Sequence, residues 1–248
     1  MSDEWKFFMC TMGENLASIM VDVGISNGIA KTPPNLATVT LAYKQPDERG
    51  LPTNVEFDAV VALEDRLDAF VKLDEDAYVG RITKEGQRTF FIYTHRTEAP
   101  WAHFVEQLAS STGYKLELQL EKDPEHSEYW KYLYPTPDDW QVIADTEVIE
   151  QLEKAGDDRE AEHVIEHFAY FPDESSASRF VAWATSDRFT HVEKESGWTE
   201  DKTFGVRLNH VGNTIQSHLS SYTIALRRKA EEFGGEYDGW GTAAVVKE

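Results

Sequence analysis

Gly234-Gly235-Glu236-Tyr237-Asp238-Gly239-Trp240-Gly241-Thr242 gathers four glycines, two carboxylates and two large aromatics near the C-terminus. It follows an amphipathic segment and precedes the apolar run Ala243-Ala244-Val245-Val246. Gly234 and Gly235 stop a helix, because glycine takes the left-handed position after a helix end without a Cβ penalty. The chain then enters a strand in which Gly239 and Gly241 permit a bulge or a close backbone approach. If the run from Tyr237 to Thr242 is extended, Glu236 and Asp238 share one face, and Tyr237 and Gly239 share the other.

Read backward from this stretch, the C-terminal half shows a regular order. A leading helix is expected over Glu147 to Ala155, stopped by Gly156-Asp157. Strands are expected at Glu160 to Phe171, Arg188 to Glu195, Phe204 to Val211 and Tyr237 to Val246. Helices are expected at Ser175 to Ser186 and Thr214 to Phe233. After the leading helix the order is strand, helix, strand, strand, helix, strand, the split β-α-β or ferredoxin-like arrangement.

The N-terminal half repeats that order behind a β-hairpin, Trp5 to Thr11 and Leu16 to Ile25 about Gly13-Glu14-Asn15. Leu36 to Tyr43 reads as a strand. Val55 to Leu73 reads as a helix, with Phe57, Val60, Val61, Leu63, Leu67, Phe70 and Val71 at helical spacing. Ala77 to Thr83 and Arg88 to Thr94 form a second hairpin, Ala99 to Thr112 a helix closed by Gly113, and Tyr114 to Leu120 a strand. Pro124 to Asp138, rich in Tyr, Trp and Pro, reads as a linker, and Asp138 and Asp139 suit the positive end of the next helix. The expected fold class is α+β, with two ferredoxin-like domains in tandem over 1–136 and 137–248.

At 248 residues, 41% of them apolar, the chain is long enough to bury two cores of ordinary size. No run approaches the roughly 18 apolar residues of a membrane span. The start, Met1-Ser2-Asp3-Glu4-Trp5, lacks a signal-peptide layout. Cys10 is the single cysteine, so no internal disulfide forms and a cytoplasmic setting is expected. The net charge of −21 is spread over both halves, with 13 basic and 23 acidic residues through Asp138 and 11 and 22 beyond it. Such a field repels nucleic acid, keeps the chain soluble and attracts basic partners.

GGEYDGWGT at 234–242 closely resembles the terminal signature of the regulator of ribonuclease E activity B family. The resemblance extends back through Asp145 to Leu152, the Gly156-Asp157-Asp158 turn, and His163 to Phe171. It implies a small cytoplasmic ferredoxin-like domain that binds the endoribonuclease and restrains it. The family's typical member is a stand-alone domain, whereas this chain carries another in front. That N-terminal half resembles a bacterial family of unknown function through Gly50-Leu51-Pro52, Leu63 to Leu67, Gly80 to Thr83, Gly86 and Phe91-Ile92-Tyr93. No activity comes with that resemblance.

Few residues suggest chemistry. His163-Val164-Ile165-Glu166-His167 has the letters of an inverted zinc-protease motif, which needs a helix. Val164, Ile165, Phe168 and Phe171 favour a strand, which sends Glu166 away from the two histidines. Glu64-Asp65-Arg66 is either a carboxylate pair facing a cleft or a solvated helix face, and the second is favoured. Arg81 and Arg88, on adjoining strands, are expected to pair across the hairpin or to bind an anion. Cys10 has no base beside it, so a buried apolar role is expected. No catalytic residue, metal ligand or cofactor site emerges.

The candidate contact residues are Glu236, Tyr237, Asp238 and Trp240. Their carboxylates and rings suit an arginine- or lysine-rich segment of a protein, or else the rings pack on the domain's own helices. The expected function is a non-enzymatic regulator of ribonuclease E-type decay that binds a protein partner, the nuclease or another basic protein. The alternative is an enzyme or small-ligand protein with a cleft between the domains near Tyr129 to Trp140.

Overall fold

In the computed structural model, which describes residues 2, 4–71, 76–201 and 203–246, the chain divides into two units, Met1–Thr136 and Pro137–Glu248. Both are α+β units built on antiparallel sheets. Among the described residues, no helix is long and apolar enough to cross a membrane.

The first unit runs β1 (Trp5–Met12), β2 (Asn15–Asp22), β3 (Asn35–Ala42), α1 (Asn54–Val71), β4 (Ala77–Lys84), β5 (Gln87–Thr94), α2 (Glu98–Thr112) and β6 (Lys115–Lys122). Its sheet order is β1-β2-β4-β5-β3-β6, and every neighbouring pair is antiparallel. Val60, Leu63, Leu67 and Val71 recur at helical spacing and bury one stripe of α1. With Trp101, Val105 and Leu108 of α2 they close over Val39, Leu41, Phe90 and Ile92 of the sheet.

One expectation about α1 changes. Phe57 and Val61 were grouped with its apolar positions, yet both are exposed, because they lie off the stripe that faces the sheet. Leu73, the expected helix end, lies outside the described residues. The expected linker is also corrected. Asp123 accepts hydrogen bonds from the Ser127 and Glu128 amides and from the Tyr93 hydroxyl, and so folds the chain back at its first turn. A π-helical turn, Tyr129–Leu133, follows, with Tyr129 and Leu133 buried and the Tyr129 hydroxyl donating to the Asp22 carbonyl. Most of Pro124 to Asp138 is thus structured within the first unit.

The second unit runs α3 (Pro137–Lys154), β7 (His163–Phe171), α4 (Glu174–Thr185), β8 (Thr190–His191), β9 (Gly197–Trp198), β10 (Phe204–Gly212), α5 (Gln216–Glu232) and β11 (Glu236–Gly241). The sheet order is β11-β7-β10-β8, with β9 also pairing β10. Phe171, Phe180, Val206, Leu208 and Leu226 lie in its main core.

Three boundaries differ from expectation. α3 begins ten residues before Glu147, since proline is tolerated in a first helical turn and Asp138 there pairs with Arg227 and Arg228 of α5. The strand expected over Arg188 to Glu195 shrinks to Thr190–His191. There the Ser196 hydroxyl accepts from the Arg207 amide and donates to the Val192 carbonyl, taking over where a ladder would continue. β11 stops at Gly241 instead of Val246. Beyond it the chain turns to Asp157, whose carboxylate accepts from the Val245 amide at 2.7 Å.

Candidate functional site

β11 sits at one edge of its sheet and, among the described residues, pairs only with β7. The pairing runs Glu236 to Tyr170 and Tyr237 to Ala169, then slips, so that Gly239 meets Phe168 and Trp240 meets His167. Asp238 is the extra residue of a β-bulge, and Gly239 at φ +125° supplies the backbone conformation that bulge needs. In an unbroken strand, residues 237 and 240 face opposite sides. The inserted residue puts both Tyr237 and Trp240 inward, under the helices.

Two polar networks receive them. The Trp240 indole N–H donates to Asp145 at 3.0 Å, and Gln141, Ser220 and Thr223 donate to the same carboxylate. Asp145 is fully buried, so it ties α3 to α5 and β11 at one point. Burial pushes its carboxyl above the usual range, and the four hydrogen bonds offset part of that shift. The Tyr237 hydroxyl lies 2.7 Å from His167 Nδ1, and His167 Nε2 lies 2.7 Å from His210 Nδ1. Burial, then the neighbouring ring, pushes His167 down to about 3; burial, then the Arg188 charge, pushes His210 down to about 4. Both imidazoles are therefore neutral near neutral pH. The Tyr237 phenol is pushed well above its ordinary value by burial and by the Asp145 and Asp238 charges.

The four candidate contact residues are thus divided. Tyr237 and Trp240 present no ring to a partner, because each is buried and hydrogen-bonded inside the unit. Glu236 and Asp238 are exposed.

On the sheet face turned away from the helices, β7 places Val164, Glu166, Phe168 and Tyr170, and β10 places Arg207 and Val211 beside them. Arg207 is bonded to both Glu166 and Glu195, and its guanidinium lies 5.4 Å from the Phe168 ring centroid. Phe168, Tyr170, Gly205 and the Glu195–Thr199 segment line an open groove of about 430 Å³, and Trp198 on its wall is 59% exposed. Glu236 stands beside Tyr170, at the margin of this surface. The surface combines aromatic faces with carboxylates, which suits a cationic side chain on an extended segment.

The remaining sequence candidates have structural partners. His163 bonds to Asp157 and to the Ala161 carbonyl, and it shares the inward face of β7 with His167, while Glu166 faces out. Glu64 departs from the solvated-face expectation. It points at the sheet, accepts from the Tyr78 hydroxyl at 2.9 Å and pairs with both Arg81 and Arg88. Those two arginines therefore meet through a carboxylate on α1 and not directly across the hairpin. Asp65 and Arg66 stay on the surface. Cys10 is partly exposed on β1, short of the buried position expected for it.

Asp145, His210, Arg207 and Trp198 were not singled out from sequence. Gln141 and Asp145 stand one helical turn apart, a readable signal had α3 been extended back to Pro137. Nothing local marks His210, whose partner lies across the sheet.

Residues 3–134 match the model of a family of unknown function (DUF695), and residues 142–242 match that of regulator of ribonuclease activity B. A solved structure of an unknown protein from Galdieria sulphuraria is similar over 86% of this chain and 99% of its own. Its identity is 10% and its TM-score 0.22, a level at which no shared fold follows. No curated protein matches the chain.

Proposed function

Because the chain belongs to the family of unknown function DUF695 over residues 3–134 and carries a regulator of ribonuclease activity B domain over 142–242, we propose that it is a non-enzymatic, cytoplasmic regulator that binds and restrains a ribonuclease of the E type. The observation that carries this reading is the domain match at 142–242. The domains are taken as 1–136 and 137–248. Ferredoxin-like folds for both are supported by strand orders that read β6-β3-β5-β4 and β11-β7-β10-β8, each a split β-α-β unit with its first strand inside the sheet.

The partner surface proposed here is the margin of the second unit's open sheet face. Glu236 and Asp238 supply charge there, and Phe168, Tyr170 and Trp198 supply aromatic area. Its complement is a basic protein segment, in keeping with a net charge of −21 that disfavours direct nucleic-acid binding. No cofactor enters the reading.

RNA cleavage by purified ribonuclease E, followed with and without the full chain, tests it. Wild-type protein is expected to slow cleavage, and the Glu236→Lys/Asp238→Lys variant to lose that effect with its thermal midpoint unchanged. Unaltered cleavage with the wild-type chain refutes the function. Inhibition retained by the variant refutes the surface.

A further inference from the structure

Among the described residues, the two sheets have four edges, and three of these are blunted against further pairing. β6 carries Lys115, Glu117, Glu121 and Lys122 outward along its length. β11 is broken by the bulge at Asp238. β8 and β9, which share the edge beyond β10, are two residues long each. Short strands, charges and bulges are the usual devices that stop a sheet edge from recruiting another strand.

β1 has only one of them, a single charge. Trp5-Lys6-Phe7-Phe8-Met9-Cys10-Thr11-Met12 holds unbroken register with β2 over all eight residues, contains no proline, and has Lys6 as its single charge. Phe7 is 57% exposed on the helix side of the sheet. From Phe7 the register passes to Met20 and then to Arg81, which is bonded to Glu64 on α1. An exposed apolar side chain thus stands on an edge that carries a single charge.

We propose that β1 pairs antiparallel with β1 of a second copy of this chain, joining the two six-stranded sheets edge to edge. The strand is its own complement. A two-fold axis normal to the sheet, passing through Phe8 or Met9, keeps the helices of both copies on one side. It sets Phe7 against Met9 or Thr11, and Lys6 against Cys10 or Met12, so no charge faces a like charge. A foreign strand would meet the same backbone groups, whereas a second copy sets each Lys6 against an uncharged, largely apolar side chain.

Sedimentation of the full chain across the micromolar range tests the pairing. The expected result is a concentration-dependent mass of twice 28.3 kDa. It should strengthen with added salt, since each copy carries −21. A bismaleimide with a reach of about 13 Å, four residue rises along a strand, should link Cys10 to Cys10. Phe7→Lys/Thr11→Lys and Phe7→Glu/Thr11→Glu should each be monomeric with unchanged circular dichroism, both positions being exposed. Mixed together, the two variants should recover the dimer. A monomer at every concentration and salt level overturns the proposal. So does a dimer that survives in either variant alone, or a mixture that fails to recover it.

Discussion

Asp145 shows how one side chain can hold three elements. Its carboxylate receives four side-chain donors from α3, α5 and β11 in a buried setting, so its removal strands three of them and leaves Thr223 only the Ser220 carbonyl. A buried donor left without an acceptor costs about 1–3 kcal/mol. Asp145→Ala is therefore expected to destabilise the second unit by more than about 3 kcal/mol, read from denaturant unfolding. Trp240→Phe, which strands a single bond, should cost a fraction of that. The histidine pair sets the pH response. Unfolded histidine titrates near 6.5, whereas His167 and His210 are held down to about 3 and about 4. As pH falls below about 6.5 the unfolded state takes up protons that the native state refuses. Stability is then complete above that pH and is lost progressively toward pH 4. Asp145, raised above its ordinary range, acts in the opposite sense, but only near its own titration. The thermal midpoint should fall between about pH 7.5 and about pH 5, and fall less in His167→Gln.

Gly239 and Gly241 read alike on a line of sequence, and β11 separates them. Added Cβ atoms meet nothing within 4 Å at either position, so space is not the constraint. Gly239 sits at φ +125° in the bulge, while Gly241 does not need such a conformation. Gly239→Ala is expected to cost about 1–3 kcal/mol in backbone strain, with Gly241→Ala nearly neutral. A thermal-melt comparison decides it: equal midpoints for the two variants would mean the bulge places no demand on the backbone. The presence of a strand here was legible from its helix-stopping glycines. Its inward and outward faces were not, because one bulge residue reverses the alternation for everything after it. α1 makes a related point. Periodicity predicted the helix well, but Glu64 was placed in water because its partners, Tyr78, Arg81 and Arg88, lie on strands and lend it no local pattern.

At the level of the whole chain, charge separates the two proposed associations. Binding of a basic nuclease segment by Glu236 and Asp238 should weaken as salt rises, whereas pairing of two copies through β1 should strengthen. Titrating ionic strength in both assays separates them, and the same trend in both would sink one reading. The α+β class and the order of strands and helices were readable in advance, since alternation, helical spacing and glycine or proline breaks are local properties. So was the regulator resemblance, because the matching stretches are contiguous. The facing of Tyr237 and Trp240, the Asp145 and His167 networks, and the contrast between the blunted β6 and the unblunted β1 were not readable. Each depends on which strand becomes a neighbour of which, and that is set by long-range pairing energies that no window of sequence contains. Local chemistry wrote the elements; packing between distant residues chose which side chains water and partners can reach.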